Sequence, residues 1–243
     1  MIEVRNLTKS FGAQLILEDI SFRIESSESV AIIGRSGGGK SVLLKHIIGL
    51  LQPDAGEVLV DGENITRMTE RELLRVRRKF GMVFQGAALF DSMTVAENVA
   101  FGLRRLEHLT EAEVAKRVAT ALDMVDLPGT EQKNPAELSG GMRKRVGLAR
   151  AIIYEPQIVL YDEPTTGLDP IVSDSIDKLI IRVRDQLKVT SIVVTHDMRS
   201  ARRVGNHVLM LHDKKIHANC TPEALFASTD PVVRQFVDGV ADP

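Results

Sequence analysis

The sequence predicts an α/β fold in which a mostly parallel β-sheet is interrupted by a mostly helical subdomain. Short continuous apolar runs alternate with amphipathic helical patterns, as expected for strands buried on both faces of a parallel sheet. No strand pattern occurs between residues 110 and 153. The length of 243 residues suits one large domain or a core with an inserted subdomain. We therefore expect an α/β core of residues 1–85 and 154–243 and a helical subdomain of residues 86–153.

Five apolar runs mark the predicted strands. In chain order they are "SVAIIG" (29–34), "EVLVDG" (57–62), "GMVFQ" (81–85), "IVLYDE" (158–163) and "SIVVTH" (191–196). In an open α/β sheet the ligand crevice lies at the carboxyl ends of the strands. Polar residues that end these runs are therefore candidates for binding and catalysis.

The predicted helices carry apolar residues at helical spacing. One covers residues 40–51, after the first of these strands, and another follows Gly141. Two more are marked by stripes that consist of Val114, Val118, Leu122 and Val125, and of Val172, Ile176, Leu179, Ile180, Val183 and Leu187.

Composition excludes several classes of protein. A formal charge of −2 argues against a nucleic-acid binder that works by bulk electrostatics. The single cysteine, Cys220, excludes an internal disulfide and argues against a zinc site. The N-terminus lacks the pattern of a signal peptide, and the apolar runs are too short to span a bilayer. We expect a cytoplasmic protein whose membrane role, if it has one, depends on a partner.

A phosphate-binding loop follows the strand at 29–34. The segment "GRSGGGKS" (34–41) fits the pattern G-x-x-x-x-G-K-S/T and opens a predicted helix. In such a loop the glycines let backbone N–H groups converge on phosphates. Lys40 is then expected to reach the β- and γ-phosphates, and the Ser41 hydroxyl to bind Mg²⁺.

The same segment has a second interpretation. "GRSGG" (34–38) also fits G-x-S-x-G, the nucleophile elbow of serine hydrolases. Ser36 would be the nucleophile, with Asp162 or Asp169 and then His196 completing the triad. This alternative leaves Lys40 and Ser41 without a role.

Polar residues at three strand ends suggest hydrolysis of the bound phosphate. Asp162 is placed to hold Mg²⁺, and Glu163 to act as general base for the attacking water. Gln85 ends another run, where its amide could sense Mg²⁺ and the water. His196 ends a third run and is a candidate contact of the γ-phosphate.

A second anion site is predicted in "ELSGGMRKRVGLARA" (137–151). A serine and two glycines open a basic helix, and free N–H groups at a helix N-terminus attract anions. The stretch has no carboxylate, histidine or cysteine positioned for chemistry near the glycines. The basic run Arg143, Lys144 and Arg145 either adds positive potential or forms a solvated helix face.

Taken in order, these motifs resemble those of the ATP-binding-cassette (ABC) ATPases. "GRSGGGKS" corresponds to the P-loop, Gln85 to the Q-loop, "LSGGM" (138–142) to the signature, "IVLYDE" to Walker B, "GLDP" (167–170) to the D-loop and His196 to the switch histidine. Met142 stands where many members have glutamine. The resemblance covers nearly the whole chain and implies a P-loop NTPase core with an antiparallel β portion at its N-terminus.

The resemblance also implies the ligands and the residues that bind them. ATP would be bound by Phe11, Gly34, Arg35, Ser36, Gly37, Gly38, Gly39, Lys40, Ser41, Val42, Ser139, Gly140, Gly141 and Asp169, with Phe11 stacked on adenine. Mg²⁺ would be held by Ser41, Gln85 and Asp162, and the catalytic residues would be Lys40, Gln85, Glu163 and His196. In this family the signature of one subunit binds the γ-phosphate on the P-loop of another. A head-to-tail dimer would therefore enclose two ATP molecules. Both half-sites are present in this chain, so a homodimer suffices, and a heterodimer is the alternative.

Three segments resemble one branch of the family, the ATPases of Mla-type (MCE-associated) phospholipid transport systems. They are "SVLLKHIIGLLQPDAGEVLVDG" (41–62), "FQGAALFDSMTVAENVAF" (84–101) and "DPVVRQFVDG" (230–239). This resemblance implies an integral membrane permease, an MCE-domain lipid-binding protein and a STAS-domain protein as partners. The chain would then sit on the cytoplasmic face of the inner membrane, with no nucleic acid as ligand.

The segment "GAALFDSMTV" (86–95), with Leu89 and Phe90, is predicted either to receive a helix of the permease or to plug a neighbouring gap. The remaining alternatives are a soluble ABC ATPase of DNA repair or translation, and a P-loop kinase. The chain has one cassette and no heptad arm, which argues against the first, and a kinase would not explain "LSGGM".

Overall fold

The computed structural model describes residues 1–103 and 109–239 of the chain, which form two compact units. The first unit consists of Met1–Arg77 and Thr190–Pro243, and the second of Arg78–Val189. Within the described ranges, no helix is both long enough and apolar enough to cross a membrane.

An antiparallel sheet begins the first unit. It consists of β1 (Ile2–Phe11), β2 (Gln14–Ile24), β4 (Ala55–Val60) and β5 (Glu63–Asn64), in the order β2-β1-β4-β5. All its pairs are antiparallel, which confirms the antiparallel N-terminal portion implied by the family resemblance. β4 passes close to β1 at Gly56, where a side chain would overlap the carbonyl oxygens of Arg5 and Asn6.

Parallel strands form the rest of the sheet structure in the first unit. They are β3 (Ser29–Gly34), β8 (Thr190–Val194) and β9 (His207–His212), with β10 (Lys215–Cys220) at the edge. β3 pairs in parallel with both β8 and β9, and β10 pairs antiparallel with β9. Every residue of β3 and β8 is buried, as the continuous apolar runs predict.

Five helices belong to the first unit in its described part. They are α1 (Lys40–Ile47), α2 (Glu70–Arg77), α7 (Met198–Val204), α8 (Pro222–Phe226) and α9 (Pro231–Asp238), with a 3-10 turn at Ile65–Arg67. α1 is shorter than the helix predicted for residues 40–51. Gly49 adopts a φ of +72°, and a side chain there would come within 2.9 Å of Leu73. The helix therefore ends before this glycine, which lets the chain turn closely under α2.

The second unit contains a parallel strand pair, β6 (Phe80–Val83) and β7 (Ile158–Asp162). Its described helices are α3 (Val95–Ala100), α4 (Glu111–Met124), α5 (Gly140–Ile152) and α6 (Pro170–Leu187), with a 3-10 turn at Pro135–Glu137. The predicted stripe on α4 is buried, and so is the middle of the stripe on α6, whereas Val172 and Leu187 at its ends are half-buried. The described residues between 86 and 153 form helices and loops, and the bounds of a separate helical subdomain there stay a prediction.

Three predicted strands end earlier than their apolar runs suggest. β6 ends at Val83, β7 at Asp162 and β8 at Val194. Gln85 and His196 therefore lie two residues beyond their strands, in loops. A polar residue in a loop can turn toward a ligand, whereas a strand residue is fixed by the pleat.

Candidate functional site

The P-loop of the first unit closes around the ammonium group of Lys40. The Lys40 side chain is 5% exposed, and its Nζ donates to the carbonyl oxygens of Gly34 at 2.8 Å and Arg35 at 3.0 Å. A second bond across the loop runs from the Gly38 N–H to the Arg35 oxygen at 3.0 Å. The lysine thus folds the loop into a compact turn and places a positive charge inside it.

The glycines of this loop have conformations that other residues rarely adopt. φ is +75° at Gly37 and +94° at Gly39, and a side chain on Gly39 would come within 2.9 Å of Leu17. Gly39 also precedes α1 as its N-cap, where no side chain caps the helix. Ser41 and Val42, half-buried, lie in its first turn. N–H groups at such a helix start can bind phosphate oxygens.

Ser36 lacks the features of a hydrolase nucleophile. It is exposed, and its φ lies outside the left-handed region. A nucleophile elbow holds its serine on a strained turn beside the base. The serine-hydrolase interpretation of residues 34–38 is therefore not supported.

Two further predicted residues of the first unit are exposed, Phe11 at the end of a strand and His196 in the loop after one. The Phe11 ring, 48% exposed, lies at the end of β1 with the Lys9 ammonium 5.5 Å from its centroid. His196 lies between Thr195, whose N–H donates to the Ile32 carbonyl at 3.1 Å, and Asp197, which caps α7. The backbone on both sides of the imidazole is therefore fixed, while the ring itself is exposed.

In the second unit, the two carboxylates that follow β7 differ in environment. Asp162 is half-buried, whereas Glu163 is 8% exposed and has a φ of +51°. The Thr166 hydroxyl donates to Glu163 Oε2 at 3.1 Å, and the Thr166 N–H donates to the Glu163 carbonyl oxygen at 3.3 Å. A left-handed glutamate costs about 1–3 kcal/mol. Other non-glycine residues of the chain, such as Glu155, share this conformation, so the burial of Glu163 and its hydrogen bond with Thr166 are what set it apart from Asp162.

Lys144 is the site residue that sequence reasoning missed. It is 8% exposed, and its Nζ donates to the backbone carbonyl oxygens of Gln85 and Glu163. Burial lowers the pKa of the Lys144 ammonium, against the opposing effect of the Glu163 and Asp162 carboxylates. The interpretation of the basic run as a solvated helix face is therefore wrong for Lys144. The signal was present: Lys144, Gly147, Leu148 and Ala151 share one buried face of α5.

The signature residues Ser139, Gly140 and Gly141 open α5, and the anion site expected there stays a prediction. Ser139 is the N-cap, and its Oγ accepts a hydrogen bond from the Met142 N–H at 3.2 Å. The hydroxyl proton remains available to a ligand oxygen. A side chain on Gly141 would come within 2.7 Å of Val172, and one on Gly140 would contact Leu168. The absence of a side chain at Gly141 therefore permits close packing on the start of α6, apart from any role with anions, whereas the contact at Gly140 would be an ordinary one.

Asp169 has a structural role that the motif alone did not reveal. Its Oδ1 accepts hydrogen bonds from the N–H groups of Ile171 at 2.9 Å and Val172 at 3.0 Å. It is thus the N-cap of α6. The contact with ATP expected for Asp169 stays a prediction.

The oxygen donors of the predicted metal site suit Mg²⁺. Ser41 offers a hydroxyl, Gln85 an amide oxygen and Asp162 a carboxylate, and Mg²⁺ prefers such oxygen ligands. In residues 1–103 and 109–239, no group of three or more His, Cys, Asp or Glu side chains could hold a metal ion. Mg²⁺ commonly keeps few protein ligands and takes the others from phosphate oxygens and water, and the metal site stays a prediction.

Comparison with known proteins gives consistent matches. A family model described as "ABC transporter" matches residues 17–166. The probable ribonucleotide transport ATP-binding protein mkl of Mycobacterium leprae is 45% identical over 238 residues, which is 98% of this chain and 69% of that protein. The intermembrane phospholipid transport system ATP-binding protein MlaF of Haemophilus influenzae is 42% identical over 242 residues, 100% of this chain and 92% of that protein.

Solved structures agree with these matches. The ATP-binding cassette MJ0796, as a dimer in a post-hydrolysis state bound to ADP and Pi, superposes with a TM-score of 0.83 at 33% identity, over 91% of this chain and 99% of that one. The cbiO1 protein of Clostridium perfringens, part of the ABC transporter complex cbiONQ, gives a TM-score of 0.87 at 30% identity, over 96% of this chain and 93% of that one.

Proposed function

This chain belongs to the ABC transporter family, and we propose that it hydrolyses ATP to drive the transport of phospholipid between membranes. The family match and the similar solved structures confirm the predicted fold class and the family resemblance. The observation that carries the ATPase function is the Lys40 ammonium enclosed by the P-loop, and the glycine-rich start of α5 at Ser139–Gly141 supports it. Phospholipid as cargo is supported by the match to MlaF over the full length of this chain.

We assign to each residue of the site a role in the binding or hydrolysis of ATP. The P-loop binds the phosphates through Lys40 and the backbone N–H groups of its glycines, and Phe11 stacks on the base. Glu163 accepts a proton from the attacking water, and Gln85 and His196 orient the water and the γ-phosphate. Ser41, Gln85 and Asp162 would hold Mg²⁺, which neutralises negative charge on the phosphate oxygens when it is bound.

The second anion site is explained by a second copy of the chain. We propose that Ser139, Gly140 and Gly141 of one copy contact the γ-phosphate on the P-loop of the other. ATP then holds two copies together head to tail, and hydrolysis releases them. ABC cassettes of this kind form dimers, as the relative with bound ADP and Pi does. Closing and opening of the homodimer would supply the movement that drives transport.

The wider assembly follows the Mla-type resemblance. We propose an integral permease as the membrane partner, with an MCE-domain lipid-binding protein and a STAS-domain protein as further subunits. The chain would be held on the cytoplasmic face of the inner membrane through the permease. A soluble ABC ATPase or a P-loop kinase is disfavoured, because the relatives are named as transport proteins and the family is that of transporters.

Cargo is tested by purifying the chain together with its bound partners from detergent-solubilised membranes. We expect extraction to recover phospholipid. We also expect the complex to move labelled phospholipid between vesicles only when ATP is present and Glu163 is intact. The relatives named mkl are called probable ribonucleotide transport ATP-binding proteins, and this chain spans about two thirds of their length. ATP-dependent uptake of ribonucleotide without lipid transfer would refute the phospholipid proposal.

Docking of the permease is assigned to residues 86–95, next to Gln85. Phe90 is 41% exposed, and the other part of its ring packs on Phe101 with 4.6 Å between centroids. The Phe90 backbone is fixed by Asn98, which accepts from its N–H at 2.8 Å and donates to its carbonyl at 3.1 Å. The exposed face of the ring is thus held on a fixed backbone, as an apolar docking surface requires.

Phe90→Asp is therefore expected to release the protein from membranes that contain the permease. The loss of one aromatic pair should cost about 0.5–1.5 kcal/mol of stability, and ATPase activity of the isolated protein should change little. Co-sedimentation with membranes and thermal melting are the measurements. Phe101→Leu is the matched control, because it removes the same ring pair and leaves the exposed face of Phe90. Equal release by both variants would identify Phe90 as a packing residue only.

A further inference from the structure

Lys144 is a buried lysine whose ammonium group contacts the backbone of two proposed catalytic residues. Its Nζ donates to the carbonyl oxygen of Gln85 and, at 3.3 Å, to that of Glu163. The residue lies three positions after Gly141, about one helical turn into α5. A single side chain therefore joins the helix that begins with the signature to the loops that carry the amide and the general base.

Packing alone does not account for a lysine at this position. Removing an ammonium group from water costs several kcal/mol unless hydrogen bonds and opposite charge compensate. Here two carbonyl oxygens accept from the ammonium, and the Asp162 and Glu163 carboxylates interact with it electrostatically. An apolar residue of similar length could fill the space without that cost. Because a buried charge is costly, we infer that the ammonium group and its hydrogen bonds have a role in the arrangement of the site.

The loop after Gln85 depends on α5 at a second point. Arg150 donates to the carbonyl oxygens of Ala87 at 2.6 Å and Ala88 at 2.7 Å. Both alanines have positive φ, +61° and +48°, which costs roughly 1 kcal/mol or more for each. Contacts from α5 therefore keep residues 85–88 in a conformation that the segment would not adopt by itself. Of these contacts, the one from Lys144 also reaches Glu163.

We propose that Lys144 is a positioning residue for ATP hydrolysis, which holds the backbone of Gln85 and of Glu163 in one fixed arrangement. Through these contacts Lys144 fixes the positions of the Gln85 amide and the Glu163 carboxylate when a γ-phosphate contacts the start of α5. The proposal rests on the catalytic roles assigned to Gln85 and Glu163 above. A displacement of about 1 Å at a catalytic group can cost about a hundredfold in rate, so a lost tether should affect turnover more than binding.

The test compares Lys144→Met, Lys144→Gln and Lys144→Arg with the parent protein. Lys144→Met should lower kcat about 10- to 100-fold while KM for ATP changes less than about threefold. Lys144→Arg should recover part of the loss because it keeps a cationic donor. Lys144→Gln, which keeps a donor without charge, replaces the methionine variant if that one does not fold. Lys178→Met is the matched control, since Lys178 lies on α6 with its side chain 71% exposed.

A double variant separates positioning from general stabilisation. Because Lys144 is proposed to act partly through Glu163, Lys144→Met should slow turnover less when it is added to Glu163→Gln than when it is added to the parent protein. Turnover of Lys144→Met within twofold of the parent, or a loss of turnover that follows a matching loss of folded protein, would overturn the inference. In either case a Glu163→Gln variant that binds ATP without hydrolysing it leaves the proposed function intact. Parental turnover in Glu163→Gln would instead refute the proposed function itself.

Discussion

Glu163→Gln is expected to abolish ATP turnover while ATP binding is kept. An amide cannot accept the proton of the attacking water, and loss of a general base costs typically 10²–10⁴-fold in rate, about 3–5 kcal/mol in activation free energy. Glutamine has nearly the same shape as glutamate. Its side-chain oxygen can still accept the hydrogen bond that Thr166 donates at 3.1 Å. The effect should therefore lie in the chemical step and not in the fold.

The variant should also accumulate as an ATP-bound dimer. If ATP joins two copies and only hydrolysis separates them, blocking hydrolysis keeps them joined. Size-exclusion chromatography with ATP and Mg²⁺ should show the dimer, and ADP should not replace ATP in this assay. Glu155→Gln is the matched control, because Glu155 is an exposed glutamate of the same unit that also has a positive φ, +54°. If Glu163→Gln hydrolyses ATP near the parental rate, the assignment of the general base is wrong.

Much of the fold follows from simple patterns in the sequence. β3 and β8 are continuous apolar runs because they are buried throughout, and their parallel pairing is the arrangement in which such runs occur. The stripe of Val114, Val118 and Leu122 is buried on α4 as its spacing predicts. These features depend on residue type and spacing, which a single sequence displays directly.

Element ends were less predictable, because they depend on contacts between distant residues. α1 stops before Gly49 because the chain passes close to Leu73, which is distant in sequence. β7 ends at Asp162 because Glu163 takes a left-handed conformation, and no propensity favours that for glutamate. A motif identifies such residues without revealing how their backbone is held.

The sequence predicted the motifs of the candidate site, but it did not reveal the residues that hold the backbone of those motifs in place. Lys144 sits between two arginines, and a run of three basic residues usually indicates solvent exposure. Its spacing to Leu148 and Ala151 places it on the buried face of α5, a signal that conflicts with its charge. The hydrogen bond of Arg150 to the backbone of Ala87 has no sequence signal, because any residue has a carbonyl oxygen.

Ser139→Arg is expected to abolish hydrolysis in a way that a second variant can repair. Ser139 is exposed at the start of α5, so an arginine there points outward and obstructs the face offered to a partner copy. The substitution leaves every residue of the P-loop unchanged, so nucleotide binding to the single copy should be kept. Loss of the N-cap costs about 1 kcal/mol. Ser139→Ala is therefore the control, since it removes the cap without adding bulk.

Lys40→Ala should also be inactive, but here the P-loop is altered and the signature is intact. It removes the charge that faces the phosphates and the two hydrogen bonds that close the P-loop, those to Gly34 and Arg35. Its signature residues remain intact. Nucleotide binding to this variant should fall steeply, which direct titration with ATP would show.

Mixing the two inactive proteins should restore hydrolysis. A mixed dimer contains one site built from the intact P-loop of the Ser139→Arg copy and the intact signature of the Lys40→Ala copy. With free exchange of equal amounts, half of the dimers are mixed and each has one good site of two, so about a quarter of parental activity is expected. A requirement for both sites to act together would reduce this value, but any activity above the two separate variants requires residues from both copies. If subunits labelled with two fluorophores exchange and activity stays at the level of the separate variants, the signature does not act on the P-loop of a partner.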